Sequence, residues 1–195
     1  MNDKDEKELY DVEQEHSQST DEAPAFVPGT KYEAALFRVY KNDSLSEGLR
    51  VLSVAIALLT VYAFAYTIFT SLAAREVSYA IRLVISTAPS FLIVSVARKA
   101  VNAPRPYELF SFYETAPKKK SGESFPSRHV FSVFAIGSAL LFGNLPLGVC
   151  LIISGVILAA ARVLLGIHFV KDTVAGALIG LISGTLGMLI SGLFF

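Results

Sequence analysis

The last quarter of the chain reads LGVCLIISGVILAAARVLLGIHFVKDTVAGALIGLISGTLGMLISGLF over residues 147–194. It contains two apolar runs, 147–165 and 171–194. Both are of about bilayer length, since a spanning helix needs roughly 20 mostly apolar residues. Only a short interval separates them, and it holds polar groups such as His168 and Asp172. The stretch therefore predicts two membrane-spanning helices joined by a charged turn.

Three further apolar runs precede this pair, with approximate bounds 49–73, 78–97 and 128–142. Backbone groups inside a bilayer must bond to one another, which favours helices for runs of this kind. We therefore predict an all-α, polytopic transmembrane bundle with about five spans, formed by residues 49–195. The third run is short, so its ends must lie in surroundings lined by protein.

Two features inside these runs bear on packing. Pro89 interrupts the second run, and neighbouring helices can satisfy the carbonyl that it frees. Gly176, Gly180 and Gly184 recur at intervals of four in the last run. Such a stripe of small residues favours close helix packing, so we expect it to be structural.

The amino-terminal region differs sharply in charge from the rest. Residues 1–30 hold nine Asp and Glu against two Lys, a net charge of −7, whereas the remainder holds 15 Lys and Arg against eight acids. A polar, acidic segment buries too little apolar surface to offset its ordering entropy. Residues 1–30 are predicted to be a flexible, disordered acidic tail.

Residues 31–48 are predicted to form an amphipathic segment at the membrane interface. Tyr32, Leu36, Val39 and Tyr40 recur there at helical spacing. This pattern suits a helix on the membrane surface and equally one docked on the protein. A second signal follows in the spacing of Ser44 and Glu47, which is that of a capping box and predicts a helix start before the first span.

The loop between the second and third runs, 104–125, is long and mixed in character. It has aromatic residues followed by three lysines, namely Tyr107, Phe110, Phe112, Tyr113, Lys118, Lys119 and Lys120. Aromatic residues favour the membrane interface, and lysines favour anionic headgroups. A gate for a lipid substrate is the alternative, and the two roles are compatible.

Ionisable groups at span ends need an explanation because they are costly in a membrane. Arg98 ends the second run, His129 begins the third, Arg162 ends the fourth and His168 precedes the fifth. If the spans alternate in direction, all four ends lie on one membrane face. Several cations with two histidines and a single acid predict a site for a dianion such as phosphate.

Local sequence adds detail to this predicted anion site. Arg105 stands between two prolines, which restrict its backbone. Ser127 and His129 fall at a helix start, where free N–H groups favour phosphate. His168 and Asp172 are four residues apart and share one helix face if the helix begins near His168. A carboxylate there can hold one imidazole nitrogen and leave the other as a nucleophile or base.

The chain has three polar motifs, RKAVNAPRP over 98–106, PSRH over 126–129 and ARVLLGIHFVKD over 161–172. Together they resemble the type 2 phosphatidic acid phosphatase superfamily, whose signature is K-x6-R-P, P-S-G-H and S-R-x5-H-x3-D. Three correctly spaced parts are far more specific than one short motif. Three positions depart from the pattern: Arg98 replaces Lys, with Lys99 one place out of register, Arg128 replaces Gly, and Ala161 replaces Ser.

The resemblance implies a role for each matching residue. His168 would attack phosphorus and form a phosphohistidine, Asp172 would orient it, and His129 would protonate the leaving alkoxide. The remaining residues would bind the phosphoryl oxygens, namely Arg98, Lys99, Arg105, Ser127, Arg128 and Arg162. Arginines can neutralise phosphoryl charge without Mg²⁺, and no carboxylate cluster for metals accompanies the motifs. The predicted enzyme is therefore metal-independent and uses no cofactor.

The predicted partners are a lipid phosphate substrate and the bilayer, with no nucleic acid. Candidate substrates are phosphatidic acid, phosphatidylglycerol phosphate and a polyprenyl diphosphate. Two rivals stay open: a phosphotransferase with an acceptor other than water, and a non-enzymatic anion- or lipid-binding membrane protein.

The chain is predicted to be a multi-pass protein of the cell membrane. The distribution of its positive charge predicts which side of the membrane the site faces. Beyond residue 30, the face of the site and the amino terminus would carry 13 Lys and Arg, and the other face only Arg75 and Arg82. Without the four site arginines, the ratio is still nine to two. Because positive charge marks the cytoplasmic side, the site is predicted to face the cytoplasm.

Overall fold

The computed structural model describes residues 28–110, 112 and 121–195. Within these ranges the chain forms seven helices: α1 Lys31–Lys41, α2 Asp43–Ala73, α3 Val77–Val101, α4 Pro106–Leu109, α5 Arg128–Leu140, α6 Leu145–Leu164 and α7 Val170–Ser191. Most of the predicted acidic tail, Tyr113 and the three lysines at 118–120 lie outside the described residues.

In the described part of the chain, four helical stretches are long and apolar enough to cross a bilayer. They are α2, α6, α7 and the stretch Val77–Leu109, which begins with α3. The predicted short span is α5, which has only 13 residues. Nine of these 13 are buried, because α5 packs against α2, α3, α6 and α7. The all-α transmembrane bundle is thus confirmed, and the shortest of the five predicted spans is enclosed by the longer helices, as predicted.

The start of α2 differs from the prediction. Asn42 is its N-cap, and the Asn42 Oδ1 atom accepts a hydrogen bond of 2.9 Å from the Leu45 backbone N–H. Ser44 and Glu47 therefore lie inside the helix, and the predicted capping box is wrong. The reason is that α1 ends at Lys41, so that a single extended residue, Asn42, separates the two helices.

Helix α1 packs its apolar face on the protein, which is one of the two arrangements that its sequence allows. Leu36 and Val39 are buried. The ring of Phe37 packs edge-on against Phe112 with centroids 5.5 Å apart. The other aromatic residues of this cluster are Tyr32, Tyr40, Tyr107 and Phe110. The aromatic half of the long loop therefore serves as a platform for α1.

The glycine stripe of α7 lies directly against the α5 backbone. A Cβ atom added at Gly176, Gly180 or Gly184 would lie 2.6, 2.5 or 2.2 Å from the carbonyl oxygens of Ser127, Phe131 and Ala135. Only a residue without a side chain permits this approach. The predicted close packing is confirmed, and it fixes α5 beside α7 at the end where the polar residues collect.

We expect Gly180→Ala to destabilise the protein by about 1–3 kcal/mol, because the added methyl group meets backbone rather than a movable side chain. Thermal unfolding of the detergent-solubilised protein measures the change. Gly48→Ala in α2 is the matched control, since a Cβ atom at Gly48 meets nothing within 4 Å. Equal unfolding temperatures for the two variants would contradict the proposed packing.

Candidate active site

The predicted polar residues come together at one end of the bundle. Arg98 lies at the end of α3, Arg162 at the end of α6, and His129 at the start of α5. His129 interacts electrostatically with Arg98, Arg162 and His168, and Arg98 interacts with Arg105 and Asp172. The alternation of the spans thus produces one cluster, as predicted from the order of the helices.

Two arginines are held in place by backbone carbonyls. Arg98 is only 5% exposed, and its guanidinium donates to the carbonyl oxygens of Pro126 and Glu123. Arg105 Nε donates to the carbonyl oxygen of Gly122 over 2.9 Å. Carbonyls orient these guanidinium groups without neutralising them, so both keep a full positive charge for an anion.

Residues 121–127 are tied to three other parts of the fold. The Glu108 carboxylate accepts from the Gly122 N–H at 2.7 Å, and Gly122 has a φ of 64° that suits glycine. Ser124 N–H donates to the Ala103 carbonyl at 2.8 Å. Ser127 N–H donates to the Asp172 carbonyl at 2.9 Å. These bonds fix Ser127 and the start of α5 relative to α7.

Ser124 bridges His168 and Asp172. The distance from His168 Nδ1 to Asp172 Oδ2 is 3.8 Å, too long for a hydrogen bond. Ser124 Oγ lies 3.2 Å from His168 Nδ1 and donates to Asp172 Oδ2. Because its one proton goes to the carboxylate, Ser124 must accept from Nδ1–H. The Nε2 atom of His168 is then left with its lone pair.

The environment of His168 favours the neutral imidazole. Burial lowers its pKa below the ordinary value of 6.5, Asp172 opposes this shift, and the charges of Arg105 and Arg98 lower the pKa further. The side chain is 2% exposed and lies in the turn before α7, after Gly166 with a φ of 65°. His168 therefore has the protonation state that a nucleophile requires.

Three buried polar atoms of the cluster have no hydrogen-bond partner among the described residues, namely Ser127 Oγ, Arg162 Nε and Asp172 Oδ1. Buried polar atoms are nearly always paired, so unpaired donors beside a histidine indicate a place for a ligand. Ser127 Oγ and Arg162 Nε can both donate to phosphoryl oxygens. Their position agrees with the anion site predicted from the sequence.

The other predicted residues occupy distinct positions. His129 and Arg128 are exposed and line the end of an apolar cavity between α2, α3 and α5. Lys99 is exposed and takes no part in the contacts described for the cluster. Across the described ranges, no three His, Cys, Asp or Glu side chains are grouped as metal ligands.

Sequence reasoning missed two residues of this region, Ser124 and Glu108. Ser124 is fully buried between the histidine and the aspartate, and Glu108 anchors both Arg105 N–H and the Gly122 turn. Both lie in the long loop, whose sequence pattern is dominated by aromatic residues and lysines. Their one signal in the sequence was proximity to the motifs at 98–106 and 126–129.

Comparison with known proteins places this site in a family. A family model described as "PAP2 superfamily" matches residues 79–194, which include every residue of the cluster. The undecaprenyl-diphosphatase BcrC of Bacillus subtilis (strain 168) is 31% identical over 83 residues, 43% of this chain and 42% of that protein. The chain thus matches less than half the length of this curated relative.

Two solved structures share the fold. LpxE of Aquifex aeolicus superposes with a TM-score of 0.63 at 22% identity, over 81% of this chain and 92% of that one. A transmembrane PAP2-type phosphatidylglycerolphosphate phosphatase from Bacillus subtilis superposes with a TM-score of 0.50 at 16% identity, over 84% of this chain and 94% of that one. The fold, the membrane helices and the family match confirm the predicted resemblance, and the chain belongs to the PAP2 superfamily.

Proposed function

We propose that this protein hydrolyses a lipid phosphate, either a monoester or a diphosphate, through a phosphohistidine at His168. One observation supports this above all others. A buried, neutral His168 with a free Nε2 atom lies among arginines, next to the unpartnered donors of Ser127 and Arg162. That is the arrangement required to hold a phosphoryl group in front of a nucleophile.

The proposed reaction has two steps. His168 Nε2 attacks phosphorus, the bond to the leaving oxygen breaks, and His129 gives that oxygen a proton. A water molecule then attacks the phosphohistidine with help from His129, now a base, and releases inorganic phosphate. The arginines neutralise the charge on the equatorial oxygens, and Asp172 with Ser124 keeps the imidazole oriented.

The lipid nature of the substrate is supported by a cavity of about 660 Å³ that begins at His129. It extends between α2, α3 and α5, and its walls are mainly apolar side chains such as Phe64, Val84 and Leu92. A hydrocarbon chain bound there would place its polar end at the cluster. Named relatives of this chain are a diphosphatase of undecaprenyl lipid and a phosphatidylglycerolphosphate phosphatase.

Purified protein is expected to release phosphate from lipid phosphates in the presence of EDTA, because the proposed chemistry uses arginines for charge neutralisation. The assay compares phosphatidic acid, phosphatidylglycerol phosphate and a polyprenyl diphosphate, with and without chelator. Addition of an alcohol acceptor detects any transfer in place of hydrolysis. Activity lost in EDTA and restored by Mg²⁺ would contradict the metal-independent mechanism.

We further propose that the site faces the cytoplasm, on the basis of the positive charge on its face. A Ser121→Cys variant in a Cys150→Ala background is expected to resist a membrane-impermeant maleimide in intact cells and to react after permeabilisation. Glu76→Cys, exposed in the turn between α2 and α3, is the matched control on the other face. Labelling of Ser121→Cys in intact cells would reverse the orientation.

A further inference from the structure

Arg128 differs from the other arginines of the site in its surroundings. Arg98 and Arg105 are buried and bonded to carbonyls, whereas Arg128 is exposed. Its guanidinium lies 5.8 Å from the centre of the Phe91 ring. Among the described residues, its side chain makes no hydrogen bond and no ion pair. A guanidinium in this position keeps its donors available for a ligand.

Arg128 lines the apolar cavity beside His129, and it interacts electrostatically with Arg98 and His129 of the reacting cluster. Phe91 precedes Arg98 by two helical turns, so it lies about 10 Å deeper along α3. Arg128 and Phe91 both line the cavity, which continues along α5 to Ile136, about 12 Å from Arg128. Arg128 and His129 are the ionisable residues of its lining, so a lipid with its phosphoryl group at His168 and its chain in the cavity is expected to pass the Arg128 guanidinium.

A monoester such as phosphatidic acid has no second phosphate at that point, and the second phosphate of phosphatidylglycerol phosphate is a glycerol unit further away. The phosphoryl group of a monoester is in front of His168, and the next atoms are an ester oxygen and carbon. A lipid diphosphate has a second phosphate there, which stays on the lipid when the terminal one is removed. An arginine is suited to such a group, since it donates in a fork to phosphate oxygens.

From this position we propose that Arg128 binds the lipid-proximal phosphate, and that the substrate class is therefore lipid diphosphates. The inference rests on the proposed function. His168 Nε2 forms a bond to the terminal phosphorus, and the bond from that phosphorus to the bridging oxygen breaks. The electron pair leaves with the bridging oxygen of the lipid monophosphate, which takes a proton from His129, while Arg128 stabilises the remaining negative charge of that phosphate. Water then converts the phosphohistidine into inorganic phosphate and free His168.

The test uses purified full-length protein with farnesyl diphosphate and farnesyl monophosphate, which share one hydrocarbon chain. We expect the wild type to prefer the diphosphate. Arg128→Gln is expected to lower kcat/KM for the diphosphate at least about tenfold more than for the monophosphate, as the loss of a charged hydrogen bond implies. Arg128→Lys is expected to recover part of the preference, and it is the second variant if the glutamine protein does not fold.

Two results would overturn the inference. If Arg128→Gln and Arg128→Lys change kcat/KM equally for both substrates, Arg128 has no role at a second phosphate, while the proposed function stands. Preference of the wild type for the monophosphate would lead to the same conclusion. A wild type that releases phosphate from neither substrate, nor from the other lipid phosphates, would overturn the proposed function and the inference together.

Discussion

Replacement of His168 by alanine is expected to reduce phosphate release by at least about a thousandfold, since loss of a covalent nucleophile removes the main catalytic step. The imidazole is 2% exposed and its Nδ1 contacts Ser124, so no neighbouring group can take its place in the same geometry. Release of inorganic phosphate by purified protein in detergent measures the effect.

His16→Ala is the matched control, because His16 is the histidine of the sequence other than His129 and His168 and lies outside the predicted catalytic motifs. It is expected to retain the wild-type rate. The thermal unfolding of both variants should be measured, since His168 is buried. Wild-type phosphate release by a folded His168→Ala protein would contradict the proposed mechanism.

The pH profile of the wild type provides a second readout for His168. Its pKa is lowered from 6.5, first by burial and then by the neighbouring arginines against the effect of Asp172. A lowered pKa keeps the imidazole neutral in more acidic solution. The acidic limb of kcat/KM, which reports the free enzyme, is therefore expected below pH 6.5.

Replacement of Arg162 by alanine is expected to lower kcat/KM by about a hundredfold to a thousandfold, which is typical for loss of a preorganised donor to a developing charge. Arg162 Nε is buried and has no partner among the described residues. Its removal therefore breaks no observed side-chain hydrogen bond. The effect should appear in catalysis while the unfolding temperature changes little.

Two further variants make this prediction specific. Arg162→Lys keeps the charge but loses the fork of donors, so it is expected to restore the activity only in part. Lys171→Ala removes an exposed cation of the same face that lies over the Phe169 ring, and is expected to stay within about threefold of wild type. Equal losses of kcat/KM in Arg162→Ala and Lys171→Ala would mean that net positive charge, and not the donors of Arg162, sets the rate. That result would contradict the prediction.

Much of the site was predictable because it depends on the order of the spans. Arg98, His129, Arg162 and His168 stand at the ends of successive apolar runs, and alternation of direction is sufficient to bring them to one face. Charge alone does not show which of the adjacent cations Arg98 and Lys99 belongs to the cluster. Consecutive residues of a helix point about 100° apart, so only one of the two faces the cluster.

The contacts made by the long loop were not predictable. Ser124 lies between His168 and Asp172 because the loop donates hydrogen bonds from Ser124 N–H to the Ala103 carbonyl and from Gly122 N–H to the Glu108 carboxylate. No periodic pattern specifies such a path. Docking of α1 was likewise undecided, since an amphipathic face fits a membrane surface as well as the aromatic residues of the loop.

The central claim is a covalent bond between phosphorus and His168, and trapping this intermediate tests it most directly. Protein is mixed with a lipid phosphate labelled with ³²P at the transferred phosphoryl group, quenched in alkali and separated under denaturing conditions. We expect label on the wild-type protein that is stable to alkali and lost in acid, as for a phosphoramidate, and none on His168→Ala. Equal labelling of His168→Ala, or label that survives acid, would contradict the mechanism.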